Sequence, residues 1–447
     1  MMSKYRFNIR TFRGGIHPED DGKDLSRGAA IRTAPLFEYY NIALRQNIGA
    51  APKWTVKVGD TVKRGQKIAE ADGFVSSALH APTSGLVEKI ENRPGINGAP
   101  TETLILKSDM LDESVKFLPG LDWKEAHPDE LKKRVSECGI VGMGGAAFPT
   151  SVKLNVPTEK KVTDLIINGA ECEPYLTADH RLMLECPEKV LIGASILGRI
   201  LGIQNIHIGV EINKVDAIET LIEHNRPYNI NIIGLYVRYP QGAEKQLIYA
   251  VTKRKVPAGG LPMDAGAVVQ NVATAVAIAE AVTEGKPLYE RITTVTGEAV
   301  KTPGNWRLRI GTPLDKVLEL ADGITEEPAK IILGGPMMGF AQRSLETSIQ
   351  KNLGGLLLLP PSKVTQYSSA PCIRCGRCLS ACPMNINPSY LGSVIESEKF
   401  ELAMNSNVMD CIECGACAYI CPAHRPLVQH IRRAKAEVRS IMANNRT

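Results

Sequence analysis

The chain has 447 residues, enough for about three domains, with 44% apolar and 23% charged residues, the balance of a folded globular protein. Its net charge of +5 gives no general drive toward nucleic acid. An odd number of cysteines, eleven, argues against a secreted disulfide framework, the N-terminus MMSKYRFNIRTFRGG lacks the apolar core of a secretory signal, and no eighteen-residue apolar run suggests a membrane span.

In chain order, residues 1–115 read as an extended arm followed by a small barrel. The arm, FRGGIHPEDDGKDLSRGAAIRTAP, is rich in Gly, Pro and charge and is expected to pack on the barrel. His17 within it has no second His or Cys nearby and reads as a structural histidine. KWTVKVGDTVKRGQKIAEADGFVSSALHAPTSGLVEKIENR alternates apolar and polar residues with Gly at the turns, a small β-sandwich. Its V-x-x-G-D-x-V-x-x-G-Q-x-I and A-P-T-S-G-x-V tokens resemble a lipoyl/biotinyl-type domain. The hairpin EADGFVSSALH has no lysine to carry a swinging arm, so this domain is expected to be a platform.

Residues 116–290 read as an α/β domain. CGIVGMGGAAFPTSVKL contains Gly142, Gly144 and Gly145 in a G-x-G-x-x-A match, but a helical pattern precedes it instead of the strand a dinucleotide fingerprint needs. The plain reading is a loop whose bare amides cradle a phosphate, with Lys153 adding charge. DLIIN reads as a buried strand ending in Asn168, with Glu171 and Glu173 just beyond it, where parallel sheets bind ligands. NIHIGVEI and INIIGLYV read as strands flanking the helix KVDAIETLIEHN; Glu244 is expected to start a helix, and Gln270 and Asn271 to head an apolar one. Cys138, Cys172 and Cys186 read as small buried residues.

Residues 291–360 pattern as strand, strand, helix, strand, with GGLLLLPPSKV leading onward. Residues 361–447 hold eight cysteines in two C-x₂-C-x₂-C-x₃-C-P runs, the spacing of two-cluster bacterial ferredoxins. Three thiolates two residues apart wrap one cluster. The fourth, opening a helix, points to the neighbouring one. Cys372, Cys375, Cys378 and Cys421 are therefore assigned to one [4Fe–4S] cluster, and Cys382, Cys411, Cys414 and Cys417 to the other. Gly376 and Gly415 are expected to relieve crowding where amides approach sulfur. A short helical hairpin is expected between the runs. A basic tail helix follows them, read as a solvated face or a docking element.

GMGGAAFPTSVKL, NGAECEPY, GAEKQL and VVQNVAT, in this order, resemble the flavin and NADH motifs of the NADH-oxidising subunit of respiratory complex I. The resemblance implies that Gly142, Gly144, Gly145 and Lys153 form the FMN phosphate and ribityl cradle. It implies that Asn168, Glu171, Gln270 and Asn271 hold the flavin, and that Phe148, Glu173 and Glu244 line the nicotinamide site. Three positions depart from that family: its loop arginine is Met143 here, its aspartate Ala170, and the first of its paired glutamates Ala243. Residues 291–340 resemble the β-grasp-like SLBB domain of the same protein. The whole order, with GGIHP near the start and GGPMMG before the cysteines, resembles the RnfC family, the C component of the Rnf electron transport complex.

That resemblance implies an α/β multidomain chain: a barrel-sandwich hybrid, a Rossmann-like FMN/NADH domain, an SLBB domain and a helical two-cluster domain. It implies a peripheral subunit on the cytoplasmic face of the cell membrane, within an ion-translocating ferredoxin:NAD oxidoreductase. FMN and two [4Fe–4S] clusters would be its cofactors and NAD(H) its substrate. Other Rnf subunits, one of them ferredoxin-like and others membrane-spanning, would be its partners. Flavin exchanges electrons in pairs or singly, so it can stand between a hydride donor and one-electron clusters. No acid–base side chain is required at the reacting carbon. Two other readings remain: a soluble NADH-dependent flavin/iron–sulfur reductase of the diaphorase or cobalamin reductase type, and an electron-wire scaffold whose nucleotide site is non-functional.

Overall fold

Alternating apolar residues and glycine turns build the N-terminal barrel as its sequence suggests. In this computed structural model, which describes residues 8–18, 20–368 and 370–444, it has two sheets. One is made of β2 (Tyr39–Ala43), β4 (Thr61–Val62), β7 (Gly85–Pro94) and β8 (Pro100–Ser108), in the order β2-β8-β7-β4. The other is β3 (Lys53–Trp54), β5 (Lys67–Glu70) and β6 (Leu79–His80). Tyr40, Ile42, Ile68, Leu79, Leu104 and Leu106 fill the space between them. The reading of the first seven residues as signal-free, and the last three residues of the tail helix, lie outside the described residues.

The arm does not pack on the barrel as expected. Arg10 bridges to Leu235 and Ile16 to Tyr239. β1 (Ile31–Thr33) then adds a parallel edge strand beside Asn305–Arg307, far along the chain. An irregular segment satisfies its backbone groups wherever an open sheet edge is offered, and the barrel's edges are not where this one lies.

The α/β domain opens with α1 (Pro128–Glu137) and the short α2 (Thr150–Lys153). β9 (Asp164–Gly169) leads through α3 (Ala178–Glu185) and α4 (Pro187–Leu201) to β10 (Asn205–Glu211), and through α5 (Val215–His224) to β11 (Asn231–Leu235). The chain then returns by α6 (Glu244–Thr252) to β12 (Ala267–Asn271) and α7 (Val272–Glu284). The four strands are parallel in the order β11-β10-β9-β12. Order therefore reverses between β9 and β12, the position where such sheets open a ligand crevice. Asn271 heads the apolar helix as its N-cap, as expected, whereas Gln270 lies in β12, which the buried β-branched Val268 and Val269 carry up to Asn271.

The third unit is β13 (Glu290–Thr296), β14 (Gly304–Arg309), α8 (Leu314–Leu320), β15 (Lys330–Leu333), β16 (Phe340–Gln342) and β17 (Gly355–Leu359). The GGLLLLPP stretch is thus no linker; its leucines form β17, a central strand between β13 and β15 with every residue buried. A continuous apolar run suits a strand covered on both faces. Lys351 staples this unit to two others, donating to Ala78 O at 2.6 Å and Gly139 O at 2.7 Å, and burial pulls its ammonium down to about 7.

The cysteine-rich unit holds α9 (Arg377–Ala381), α10 (Pro388–Glu396), α11 (Phe400–Asn405), α12 (Ala416–Tyr419) and α13 (Leu427–Asn444). The hairpin and tail helix appear as expected, with Ile431, Ala434 and Val438 of α13 packed on α10 and α11. The tail is more than a solvated face: Lys435 is buried, donating to Cys411 O at 2.7 Å and to Glu413 at 2.7 Å.

Candidate redox site

The glycine loop sits over the crevice between β9 and β12. Gly142 N–H donates to Phe148 O at 2.9 Å and Ala147 N–H to Gly142 O at 3.2 Å, closing the loop at its base. Gly144, Gly145 and Ala146 are exposed, and among the described residues their amides have no protein acceptor. Gly145 holds φ at 117°, which only glycine adopts without strain. A β-carbon on Gly144 would lie 3.2 Å from Asn271 Cβ, so the loop approaches the end of β12 closely. Met143, where the related family has arginine, is buried in the core and its amide donates to Thr274 Oγ1 at 2.9 Å. Phe148 is half-buried at the loop's exit.

Lys153 reaches back under this loop. Its ammonium is 2.7 Å from Glu244 Oε1, at the first turn of α6, and 3.0 Å from Val269 O. Asn168 and Asn271 are register partners at the strand ends. Both side chains make contacts within the protein. Asn168 donates to Gly242 O at 2.8 Å and accepts from Ala170 N; Asn271 caps α7 through Ala273 N at 2.8 Å and donates to Asp179 Oδ2 at 2.6 Å. Each NH2 group uses one of its two N–H bonds in these contacts. Among the described residues the buried Nε2 of Gln270 has no partner, a donor left for a ligand. Free loop amides, a lysine and an orphaned amide donor suit a phosphorylated, hydrogen-bonding group such as FMN.

Glu171 and Glu173 also make contacts within the protein. Glu171, at φ 45°, accepts from Asp179 N at 2.6 Å and His180 N at 3.2 Å, capping α3. Glu173 turns to the GGPMMG loop of the third unit, accepting from Met337 N at 3.2 Å. A β-carbon on Gly335 would come 2.2 Å from Glu173 Oε2, so this approach needs glycine. Burial raises both carboxyls, Glu173 to about 7. Their loop is held by two buried lysines that no local pattern singled out. Lys23 of the arm donates to the carbonyls of Glu171 (2.9 Å), Glu173 (2.8 Å) and Leu176; Lys214 donates to Ala170 O at 2.8 Å.

The two cysteine loops repeat one conformation. Arg374 and Glu413 both have φ 57°, with amides donating to Cys372 Sγ at 3.4 Å and Cys411 Sγ at 3.3 Å. Gly376 and Gly415 follow at φ 75° and 81°, the left-handed turn before each short helix. The fourth cysteine does not open a helix: Cys382 caps the end of α9, and Cys421 follows α12.

Long-range folding brings the thiols together crosswise. A pocket is lined by Cys372, Cys375, Cys378 and Cys421. Cys382 lies in the electrostatic reach of Cys411, Cys414 and Cys417, and burial pushes Cys414 up to about 12. Such thiols give up their protons only to a strong positive centre, as iron is. His17 is exposed with Nδ1 3.1 Å from Val237 O and joins neither set. Of the isolated cysteines, Cys138 is fully buried, while Cys172 and Cys186 are half-buried.

The crevice and the second cysteine set are physically joined. Gly242 N–H donates to Cys172 Sγ at 3.2 Å. Cys172 packs with Tyr239 and Cys414, and the Tyr239 hydroxyl donates to Cys414 O at 2.6 Å.

Comparison with known proteins gives four family matches in chain order. The RnfC barrel sandwich hybrid domain matches residues 10–111, the Nuo51 FMN-binding domain 135–280, the SLBB domain 292–341 and a 4Fe-4S dicluster domain 365–422. The chain is 47% identical over 97% of its length to the C subunit of the proton-translocating ferredoxin:NAD(+) oxidoreductase complex of Clostridium ljungdahlii, covering 95% of that protein. It is 44% identical over 96% of its length to the Na(+)-translocating counterpart of Acetobacterium woodii, covering 97% of it. It is 42% identical over 96% of its length to the C subunit of the ion-translocating oxidoreductase complex of Rhodobacter capsulatus, covering 83% of it. A crystal structure of an NAD+-reducing [NiFe]-hydrogenase superposes with a TM-score of 0.50 at 18% identity over 71% of this chain, which spans 64% of that one; this is a likeness of fold.

Proposed function

The chain belongs to the family of C subunits of ion-translocating oxidoreductase complexes, and from that premise we propose that it exchanges hydride with NAD(H) at FMN and passes single electrons through its iron–sulfur clusters. It is an NAD-linked redox subunit whose cofactors are FMN and two [4Fe–4S] clusters. No helix among the described residues is long and apolar enough to cross a membrane, which supports a peripheral place in the complex, on the cytoplasmic face in our reading.

When bound, FMN supplies the exchange between paired and single electrons. The chain's part is to bind and aim it. The amides of Gly144, Gly145 and Ala146 would meet its phosphate, with Lys153 to balance charge and the unpartnered Gln270 Nε2 to donate to it. Glu244, beside Lys153, would accept from a nucleotide ribose. Cys372, Cys375, Cys378 and Cys421 would hold one cluster, and Cys382, Cys411, Cys414 and Cys417 the other.

The observation that carries this reading is the packed connection from the crevice to the second cysteine loop: Asn168 to Gly242, Gly242 to Cys172, and Tyr239 to Cys414. It makes both redox sites parts of one continuous interior. The departures at Met143, Ala170 and Ala243 do not favour a decayed wire. Met143 and Ala170 are core residues, and Ala243 is the N-cap residue of α6. The test is anaerobic purification of the full chain, flavin and iron analysis, then an NADH titration. Bleaching of flavin and cluster absorbance is expected. A flavin-loaded chain that NADH leaves oxidised would overturn hydride exchange here.

A further inference from the structure

The two cysteine loops share one backbone conformation but not one environment. The second is enclosed by the rest of the chain: Tyr239 donates to Cys414 O, Met337 O stands 3.0 Å from where a β-carbon on Gly415 would be, and Gly14 lies against Cys382 O. Gln246 of α6 also reaches Pro383 O at 3.3 Å. Cys382, Cys414 and Cys417 are 7–8% exposed, as is Cys378 of the first set, and Cys411 is half-buried, so the contrast lies in the loops and not in every thiol. The first loop has none of this cover: residues 373–377 are all exposed, Cys375 among them, and Ile373 is 65% exposed. Arg374 and Arg377 flank Cys375, and among the described residues neither enters an ion pair.

We propose that the 372–377 loop is the chain's electron port, and that it docks an acidic-faced protein carrying its own one-electron centre. The proposal rests on the reading that Cys372, Cys375, Cys378 and Cys421 hold a cluster. The enclosed set faces the flavin crevice through Tyr239 and Cys172, so internal exchange belongs to it. The open set can bring its edge against another protein. Ile373 supplies an apolar contact beside the cluster, and Arg374 and Arg377 supply charge that attracts and orients an acidic face. The step moves one electron between the cluster and the partner's centre, one being oxidised as the other is reduced, with no proton or bond exchanged.

The test uses the full chain after iron analysis has shown about eight irons, as two four-iron clusters require; a lower content sinks the cluster assignment, not the port. An acidic [4Fe–4S] ferredoxin is the probe, with affinity measured at low and high salt. Wild-type binding is expected to weaken as salt rises. The double variant Arg374→Glu/Arg377→Glu is expected to bind at least ~10-fold more weakly, Ile373→Ser several-fold more weakly, and Lys124→Glu on the α/β domain as wild type. No wild-type binding, or equal losses in the double variant and in Lys124→Glu, overturns the proposal. So does loss of binding to anionic vesicles in the double variant with ferredoxin binding intact, which would make this a membrane contact. As a second readout, a soluble dysprosium chelate should broaden the paramagnetic signal of one reduced cluster only, the one altered by Cys375→Ser. Broadening of both, or of the other alone, contradicts the asymmetry.

Discussion

The hydroxyl of Tyr239, on the segment leaving β11, donates to the carbonyl of Cys414 at 2.6 Å and lies 3.5 Å from Glu173 Oε1. One buried phenol therefore joins the α/β domain to a cysteine loop more than 170 residues away. Tyr239→Phe removes the donor and leaves a buried carbonyl unpaired, a loss of about 1–3 kcal/mol. The expected result is a thermal midpoint lower by a few degrees with iron content unchanged. An unchanged midpoint would mean that the contact does not help dock the two units.

The crosswise gathering of thiols makes a paired forecast. Cys382→Ser should abolish the enclosed cluster and Cys421→Ser the open one, each lowering iron from about eight to about four per chain. The cluster left in Cys382→Ser should be the one oxidised quickly by ferricyanide, since its loop is exposed. If Cys382→Ser instead spares the slow, protected cluster, ligation is not crosswise.

Lys153 is paired with Glu244 at 2.7 Å, beside the crevice. Lys153→Met should weaken flavin binding about tenfold, or about 1.4 kcal/mol, without changing iron content. Fluorescence titration of flavin-depleted chain measures it. Undiminished affinity would show that the phosphate is held by amides alone.

Burial raises Glu173 to about 7 from an ordinary value near ~4.3. Between these values the unfolded chain has lost a proton that the folded chain keeps. The contribution is therefore fully present below ~4.3 and is lost as pH rises through about 7. Glu171 shifts in the same direction. Lys351, lowered to about 7, acts oppositely: its contribution is present above ~10.4 and is lost as pH falls toward 7. Glu173→Gln should thus gain stability relative to wild type between pH 5 and pH 7.5, on the order of 1–3 kcal/mol. Thermal midpoints of the two proteins across that range test it; a constant difference would mean that Glu173 is ionised in both states.

Much of the site is legible in the sequence because its determinants are local. The cysteine spacing, the strand DLIIN, the helix start at Glu244 and the glycine loop each depend on residues within a few positions. Local pattern puts Gln270 and Asn271 together at the head of a helix, where Asn271 is indeed the cap, but it misses that Gln270 lies in β12 because a short apolar run does not distinguish a strand end from a helix start. Leu356–Leu359 look like a linker for a similar reason, since what makes them a central strand is the pair of partners at Thr294–Thr296 and Lys330–Leu333.

The sequence by itself determined the order of the four units, the ligand types and the spacing that suits two iron cubes. Only the tertiary structure decided which cysteine loop is enclosed and which is open, that the arm crosses to β11 and β14, and that Glu171 and Glu173 serve as a helix cap and an inter-unit clamp. The reason is the length over which each force is set. Loop geometry follows from neighbouring residues, whereas burial and the pairing of carbonyls with Lys23, Lys214 and Lys351 exist only after distant segments have met.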